Sequence, residues 1–164
     1  MIAFKFIIIA VISYLLGSLN FGVILSRGMK NEDVRESGSG NAGTTNMMRT
    51  YGKTLGLLTI AGDILKVIIA IWLAFRIVSV EELKMTLDSA SDYPQVVLKS
   101  LAGLFAVLGH IFPCYFKFKG GKGVATSGGM VIAIDWRIAL ILLAIFALTI
   151  LITKYVSLGS ILMA

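Results

Sequence analysis

The chain is short of the residues on which soluble folds, redox sites and metal centres depend. Of 164 residues only 15% are charged, two are proline, one is cysteine and one is histidine. A single cysteine, Cys114, excludes an internal disulfide framework and a thiolate metal cluster. A single histidine, His110, excludes a histidine-rich metal site, and no metal or cofactor is expected. Acidic residues are scarce too: nine Asp and Glu face fifteen Lys and Arg, a net charge of +6. A surplus of that sign suits nucleic acid or anionic lipid headgroups. Because 57% of the residues are hydrophobic and the mean hydropathy is +0.91, basic loops beside a membrane are the simpler reading, and no nucleic-acid partner is expected.

What the chain has in quantity is apolar runs. Met1–Ser26, Thr54–Val80, Gln95–Tyr115 and Ile138–Thr153 each read as a span, Val124–Ile134 as a short or tilted one, and Lys154–Ala164 as the start of another. Lys5 precedes the first run, but no A-x-A site follows it, so the run reads as a retained helix and not a leader. The expected fold is an all-α, polytopic membrane bundle of about five to six spans, forming one domain over residues 1–164. Gly17, Ser18, Asn20 and Gly22 give the first span a small face for close helix packing, with Asn20 able to hydrogen-bond across it. Asp63 and Lys66, three residues apart inside the second span, can pair, as a structural ion pair or as part of a site.

Two polar segments interrupt the apolar runs. The first, within Arg27–Lys53, carries SGSGNAGTTNMMR from Ser37 to Arg49. Gly38, Gly40 and Gly43 match G-x-G-x-x-G and Asp63 follows at the right distance, but no strand precedes them, which defeats a dinucleotide reading. The second, GHIFPCYFKFKGGKGVAT from Gly109 to Thr126, sets Lys117, Lys119 and Lys122 among Gly120, Gly121 and Gly123. Glycines let backbone N–H groups approach an anion, and lysines supply positive field. The spacing is not that of a Walker A loop. On one side of the membrane Arg27, Lys30, Arg35, Arg49, Lys53, Lys117, Lys119, Lys122 and Lys154 make nine cations. Against them stand five on the other side: Lys5, Arg76, Lys84, Lys99 and Arg137. The positive-inside rule then puts both glycine segments in the cytoplasm and the N-terminus outside. Two anion-friendly loops in one compartment can form one site, with apolar walls for an alkyl chain. No nucleophile elbow and no H-x4-D pair is present, so chemistry there must rest on positioning and charge with a preactivated substrate.

At these residues the chain resembles the bacterial acyl-phosphate:glycerol-3-phosphate acyltransferase family (PlsY). Four segments carry the likeness: GSLNFGVILSR (Gly17–Arg27), DVRESGSGNAGTTNMMR (Asp33–Arg49), Gly109–Thr126 and KYVSLGS (Lys154–Ser160). The resemblance implies transfer of a fatty acyl group from acyl phosphate to the sn-1 hydroxyl of glycerol 3-phosphate, giving lysophosphatidic acid and phosphate. It also implies a multi-pass bacterial inner-membrane protein, expected as a monomer among membrane lipid. By that likeness Ser39, Asn41, Thr45, Asn46 and Arg49, with Gly38 and Gly40, bind phosphate in the first loop. Lys122 with Gly120, Gly121, Gly123 and Thr126 does so in the second, and Ser157 and Ser160 belong to a third motif. Ser39, Arg49, Lys122 and His110 are the expected catalytic set, His110 as a positioning group or general base. Family members continue past the third motif, so the chain reads as C-terminally incomplete beside them. A small transporter of a phosphorylated or anionic solute is the alternative, for which Asp63, Lys66 and the short span speak.

Overall fold

A computed structural model describes residues 2–86 and 94–162, except for the side chains of Thr86, Ser160 and Ile161. In order the helices are α1 (Ile2–Gly17), α2 (Phe21–Lys30), α3 (Thr44–Tyr51), α4 (Lys53–Ile77), α5 (Val80–Thr86), α6 (Pro94–Ile111), α7 (Val124–Ile134), α8 (Trp136–Thr153) and α9 (Val156–Leu162). Two 3₁₀ turns, Val34–Glu36 and Cys114–Phe116, lie in the connections, and no strand occurs among the described residues.

Four segments are long and apolar enough to cross a membrane: Ile2–Lys30, Lys53–Ile77, Pro94–Phe116 and Trp136–Thr153. Beside these four lie the shorter α7 and α9, of 11 and 7 residues, each below the length that crosses a membrane. The bundle is apolar on its outside. Phe4, Ile7 and Val11 on α1, Leu58, Leu65 and Trp72 on α4, and Ile141, Leu148 and Ile152 on α8 are all exposed. Inside, small side chains let the helices close up: Ala70 and Ala74 of α4 meet Ala102 and Ala106 of α6, with Ile9, Val67 and Leu98 filling between. A Cβ on Gly17 would strike the Ala106 backbone, and one on Gly109 the backbone of Tyr14 and Ser18. This glycine-to-backbone contact brings the last turns of α1 and α6 together.

The first span is not one continuous helix, as Met1–Ser26 had implied. α1 stops at Gly17, and Asn20, in extended conformation, caps α2 by accepting the Val23 N–H at 3.3 Å. The expected cross-helix role of Asn20 is thus replaced by a capping role, because a helix start needs its orphan N–H groups satisfied. The polar connection is also shorter than Arg27–Lys53, since α2 runs to Lys30 and α3 takes up Thr44–Tyr51. Tyr14 donates its hydroxyl to the Phe112 carbonyl at 2.7 Å, fixing one end of the bundle. At the opposite end Lys5 pairs with Glu82 at 2.6 Å.

Candidate active site

The two glycine segments meet at the Tyr14–Phe112 end. Ser39, Gly40 and Asn41 face Gly120, Gly121 and Lys122 across an open cleft of about 310 Å³. A second depression of about 430 Å³ shares Gly40 and Gly120 with it and is lined further by Arg27, Arg35, Phe116, Lys117 and Lys119.

The first loop is built inward around Asn46. Its carboxamide oxygen accepts the Ser39 N–H at 2.9 Å, and its Nδ2 lies 3.0 Å from each of the Val34, Ser37 and Asn41 carbonyls. Gly38 and Gly40 take positive φ (60° and 70°), and a Cβ on Gly38 would run into the Asn46 amide. Asn46 is buried and its polar atoms are spent, so it shapes the loop; the expected phosphate contact from its side chain is corrected accordingly. Asn41 turns its Oδ1 onto the Gly43 N–H at 3.0 Å while still lining the cleft. Thr45 and Arg49 are exposed and four residues apart on α3, hence on one face of it.

The second loop is fastened by its backbone. Gly120 N–H donates to Ile111 O and Gly121 N–H to His110 O, both at 3.2 Å. These two N–H groups were expected to hold phosphate; instead they extend the end of α6. On this side the cleft is lined by the backbone of Gly120 and Gly121 and by the exposed Lys122, and α7 starts two residues on. Both α3 and α7 begin beside the cleft after a glycine N-cap, Gly43 and Gly123, with no side chain capping either. Such uncapped starts present N–H groups and the positive end of a helix dipole. Thr126, another expected contact, is fully buried in the first turn of α7 and does not line the cleft. Ser157 is exposed on α9, which packs on α8, and it too is absent from the lining; the Ser160 side chain lies outside the described residues.

Arg35, which sequence reading treated only as one charge among many, joins the loops. Its guanidinium forks onto Asp33 (Nε–Oδ1 2.9 Å, Nη2–Oδ2 2.6 Å), while Nη1 donates to the Phe116 and Lys119 carbonyls at 2.9 and 2.8 Å. Arg27 adds a bond to Asp33 at 2.8 Å, and both arginines lie over the Phe116 ring. The hydrogen bond from Arg35, helped by Arg27, holds the Asp33 carboxyl far below the usual carboxylate range. Among the described residues no carboxylate pairs with Arg49, Lys117, Lys119 or Lys122; Lys122 lines the cleft, Lys117 and Lys119 line the neighbouring depression, and Arg49 lines neither.

His110 sits beneath the second loop, 3% exposed, with its Nε2 where a Cβ of Gly121 would stand. Its Nδ1 is 2.8 Å from Lys66 Nζ, which also lies 2.8 Å from Asp63 Oδ1 and donates to Leu19 O at 3.0 Å. The expected Asp63–Lys66 pair therefore exists and has His110 and the α1–α2 break as further partners. Among the described residues no group of three or more metal-ligating side chains occurs.

Comparison with known proteins bears on this arrangement. The glycerol-3-phosphate acyltransferase family model matches residues 7–164. A protein of Ureaplasma urealyticum named glycerol-3-phosphate acyltransferase is 45% identical over 152 residues, covering 93% of this chain and 60% of the relative. One of the same name from Clostridioides difficile is 42% identical over 165 residues, covering 96% and 72%. Among solved structures, the glycerol 3-phosphate form of PlsY (YgiH), an integral membrane glycerol 3-phosphate acyltransferase, superposes with a TM-score of 0.79 at 37% identity, over 96% of this chain and 72% of that one. The lysophosphatidic acid form gives 0.75 at 35% identity. The chain spans about 60% of the length of the first curated relatives it matches.

Proposed function

Because the chain belongs to the glycerol-3-phosphate acyltransferase family, we propose that it transfers a fatty acyl group from acyl phosphate to the sn-1 hydroxyl of glycerol 3-phosphate. The observation that carries the reading is the cleft itself. It joins the Ser39–Asn41 and Gly120–Lys122 segments, bears an unpaired lysine, and has two uncapped helix starts beside it. That is a site for phosphate.

An acyl phosphate is a mixed anhydride with a good leaving group, so no covalent acyl-enzyme is needed. The substrate hydroxyl attacks the acyl carbon, its C–O bond forms as the acyl–phosphate C–O bond breaks, and the hydroxyl proton ends on the departing phosphate. Lys122 stabilises the charge that gathers on that phosphate. The Ser39 hydroxyl and Asn41 amide orient the polar substrate, and Thr45 and Arg49 on the exposed face of α3 extend the anion-binding surface. Apolar helix walls take the acyl chain. Within this reading the protein is a multi-pass inner-membrane protein acting as a monomer with the cleft in the cytoplasm. The grouping of nine cations at the cleft side supports that orientation.

The test offers the purified chain, in lipid, glycerol 3-phosphate with palmitoyl phosphate and separately with palmitoyl-CoA. Lysophosphatidic acid formed from acyl phosphate alone is the expected result. Product from the CoA thioester alone would overturn the donor assignment. A chain that forms no product either alone or extended to its relatives' length would overturn the reaction.

A further inference from the structure

The cleft rests on a buried polar cluster that the chemistry above does not use. Asp63, Lys66 and His110 are 1%, 2% and 3% exposed, inside a bundle whose outer face is apolar. Groups this costly to bury are held by mutual pairing, and within a membrane they mark functional positions.

Counting donors resolves how the cluster is wired. A lysine ammonium has three N–H donors and accepts nothing. Around Lys66 Nζ lie three neighbours: Asp63 Oδ1 at 2.8 Å, the Leu19 carbonyl at 3.0 Å and His110 Nδ1 at 2.8 Å. An ammonium cannot accept, so at 2.8 Å Nδ1 must take one of its protons; Nδ1 lies farther, 3.4 Å, from Asp63 Oδ1, whose contact with Lys66 is an ion pair without hydrogen-bond geometry. An imidazole accepting at Nδ1 is neutral and carries its own proton on Nε2. Nε2 is the atom that abuts Gly121, a residue lining the cleft, and the His110 carbonyl accepts the Gly121 N–H at 3.2 Å. Leu19 O is free to take part because α1 ends two residues earlier.

We propose that Lys66 and Asp63 are positioning residues that hold His110 as the neutral Nε2–H tautomer against Gly121, and so fix the glycine loop on which the phosphate site is built. The functional part of the proposal rests on acyl transfer being the reaction. The wiring does not.

His110 is the only histidine of the chain, so imidazole signals from ¹⁵N-histidine-labelled protein in micelles belong to it alone. The expected wild-type spectrum is that of Nε2–H with an unprotonated Nδ1. In Lys66→Met that signature is lost, and kcat/KM for glycerol 3-phosphate falls by about tenfold or more, the scale on which displaced positioning groups act. Lys66→Arg, which keeps a cationic donor, recovers part of both. A wild-type imidazole protonated at Nδ1 or at both nitrogens would overturn the wiring. So would a Lys66→Met protein with unchanged spectrum and efficiency. Should Lys66→Met fail to insert, Gly121→Ala brings a methyl onto Nε2, and an unaltered Nε2 resonance there would equally sink the proposal. A wild-type chain with the expected tautomer but no acyl transfer would count against the reaction and in favour of the wiring.

Discussion

The two glycine loops at the cleft are alike in composition and unlike in how they are fastened. In the first, one side chain does the work: Asn46 reaches back from α3, accepts the Ser39 N–H and shares its two amide protons among three carbonyls at 3.0 Å. In the second, the backbone of Gly120 and Gly121 bonds directly to the end of α6, and the absence of Cβ atoms lets it lie on His110 and Pro113. The difference shows that glycine and asparagine in such loops divide between fastening and lining. Ser39, Asn41 and Lys122 remain for a ligand once Asn46, Gly120 and Gly121 have been committed to structure.

The sharpest way to break this division is to remove a lining group and compare it with a fastening group. Lys122→Ala, in a protein that acyl transfer identifies as active, is expected to lower kcat/KM by about 10²–10³-fold, as loss of one transition-state charge partner does. Its melting temperature should stay near wild type, because Lys122 is exposed and has no ion pair among the described residues. Lys117→Ala, on the neighbouring depression and not on the cleft, serves as the control and should lose far less. Equal losses in the two would show that general positive field, not the cleft lysine, carries activity.

Asn46→Ala should reverse that pattern. Truncation leaves the Ser39 N–H and the Val34, Ser37 and Asn41 carbonyls without their side-chain partner. The cost is of order 1–3 kcal/mol for a buried group left unsatisfied. Thermal unfolding in detergent should fall measurably, and hydrogen exchange should quicken at Ser39 and its neighbours. A variant of full stability and slow exchange at Ser39 would mean that the loop is held by something other than this carboxamide.

Much of this end of the molecule was readable in advance, and the unread parts share a cause. The helical spans, the 11 residues of α7, the pairing of Asp63 with Lys66 and the meeting of two glycine loops all follow from patterns local in sequence or from charge bias. The inward turn of Asn46 did not, because an asparagine beside glycines is equally suited to a ligand and to its own backbone. What decides is the positive φ of Gly38 and Gly40, which only folding reveals. The break at Ser18–Asn20 hid inside an apolar run that is otherwise continuous. Arg35 was unreadable for a different reason: its bonds to Phe116 and Lys119 span 81 and 84 residues. A signal did exist. Arg35 lies two residues from Asp33 and could have been seen as a fork awaiting a carboxylate.

Arg35 also supplies the next test of the comparison, since it is the strut that ties one loop to the other. Arg35→Lys keeps the charge but loses the planar fork, so it cannot make the two-point bond to Asp33 together with both carbonyl bonds. A modest loss is expected, about 1–2 kcal/mol on the scale of charged hydrogen bonds. It should appear as faster exchange in both loops together. If only one loop loosened, the two would be fastened independently and the strut would be incidental.

The smallest effect concerns pH. Asp33 is ionised far below the usual carboxylate range because Arg35 and Arg27 hydrogen-bond its charged form. A carboxyl whose folded value is depressed contributes stability that is fully present above its unfolded value, about 3.9. That contribution drains away as pH falls below this value toward the folded one. Between about pH 5 and pH 8 the clamp should therefore be insensitive to pH, and exchange at loop amides, corrected for intrinsic rates, should stay flat. Below about pH 4 the loops should loosen in the wild type and not in Asp33→Asn, which has already lost the ionised fork. A wild type and an Asp33→Asn variant that loosen in parallel on acidification would place the acid-sensitive group elsewhere.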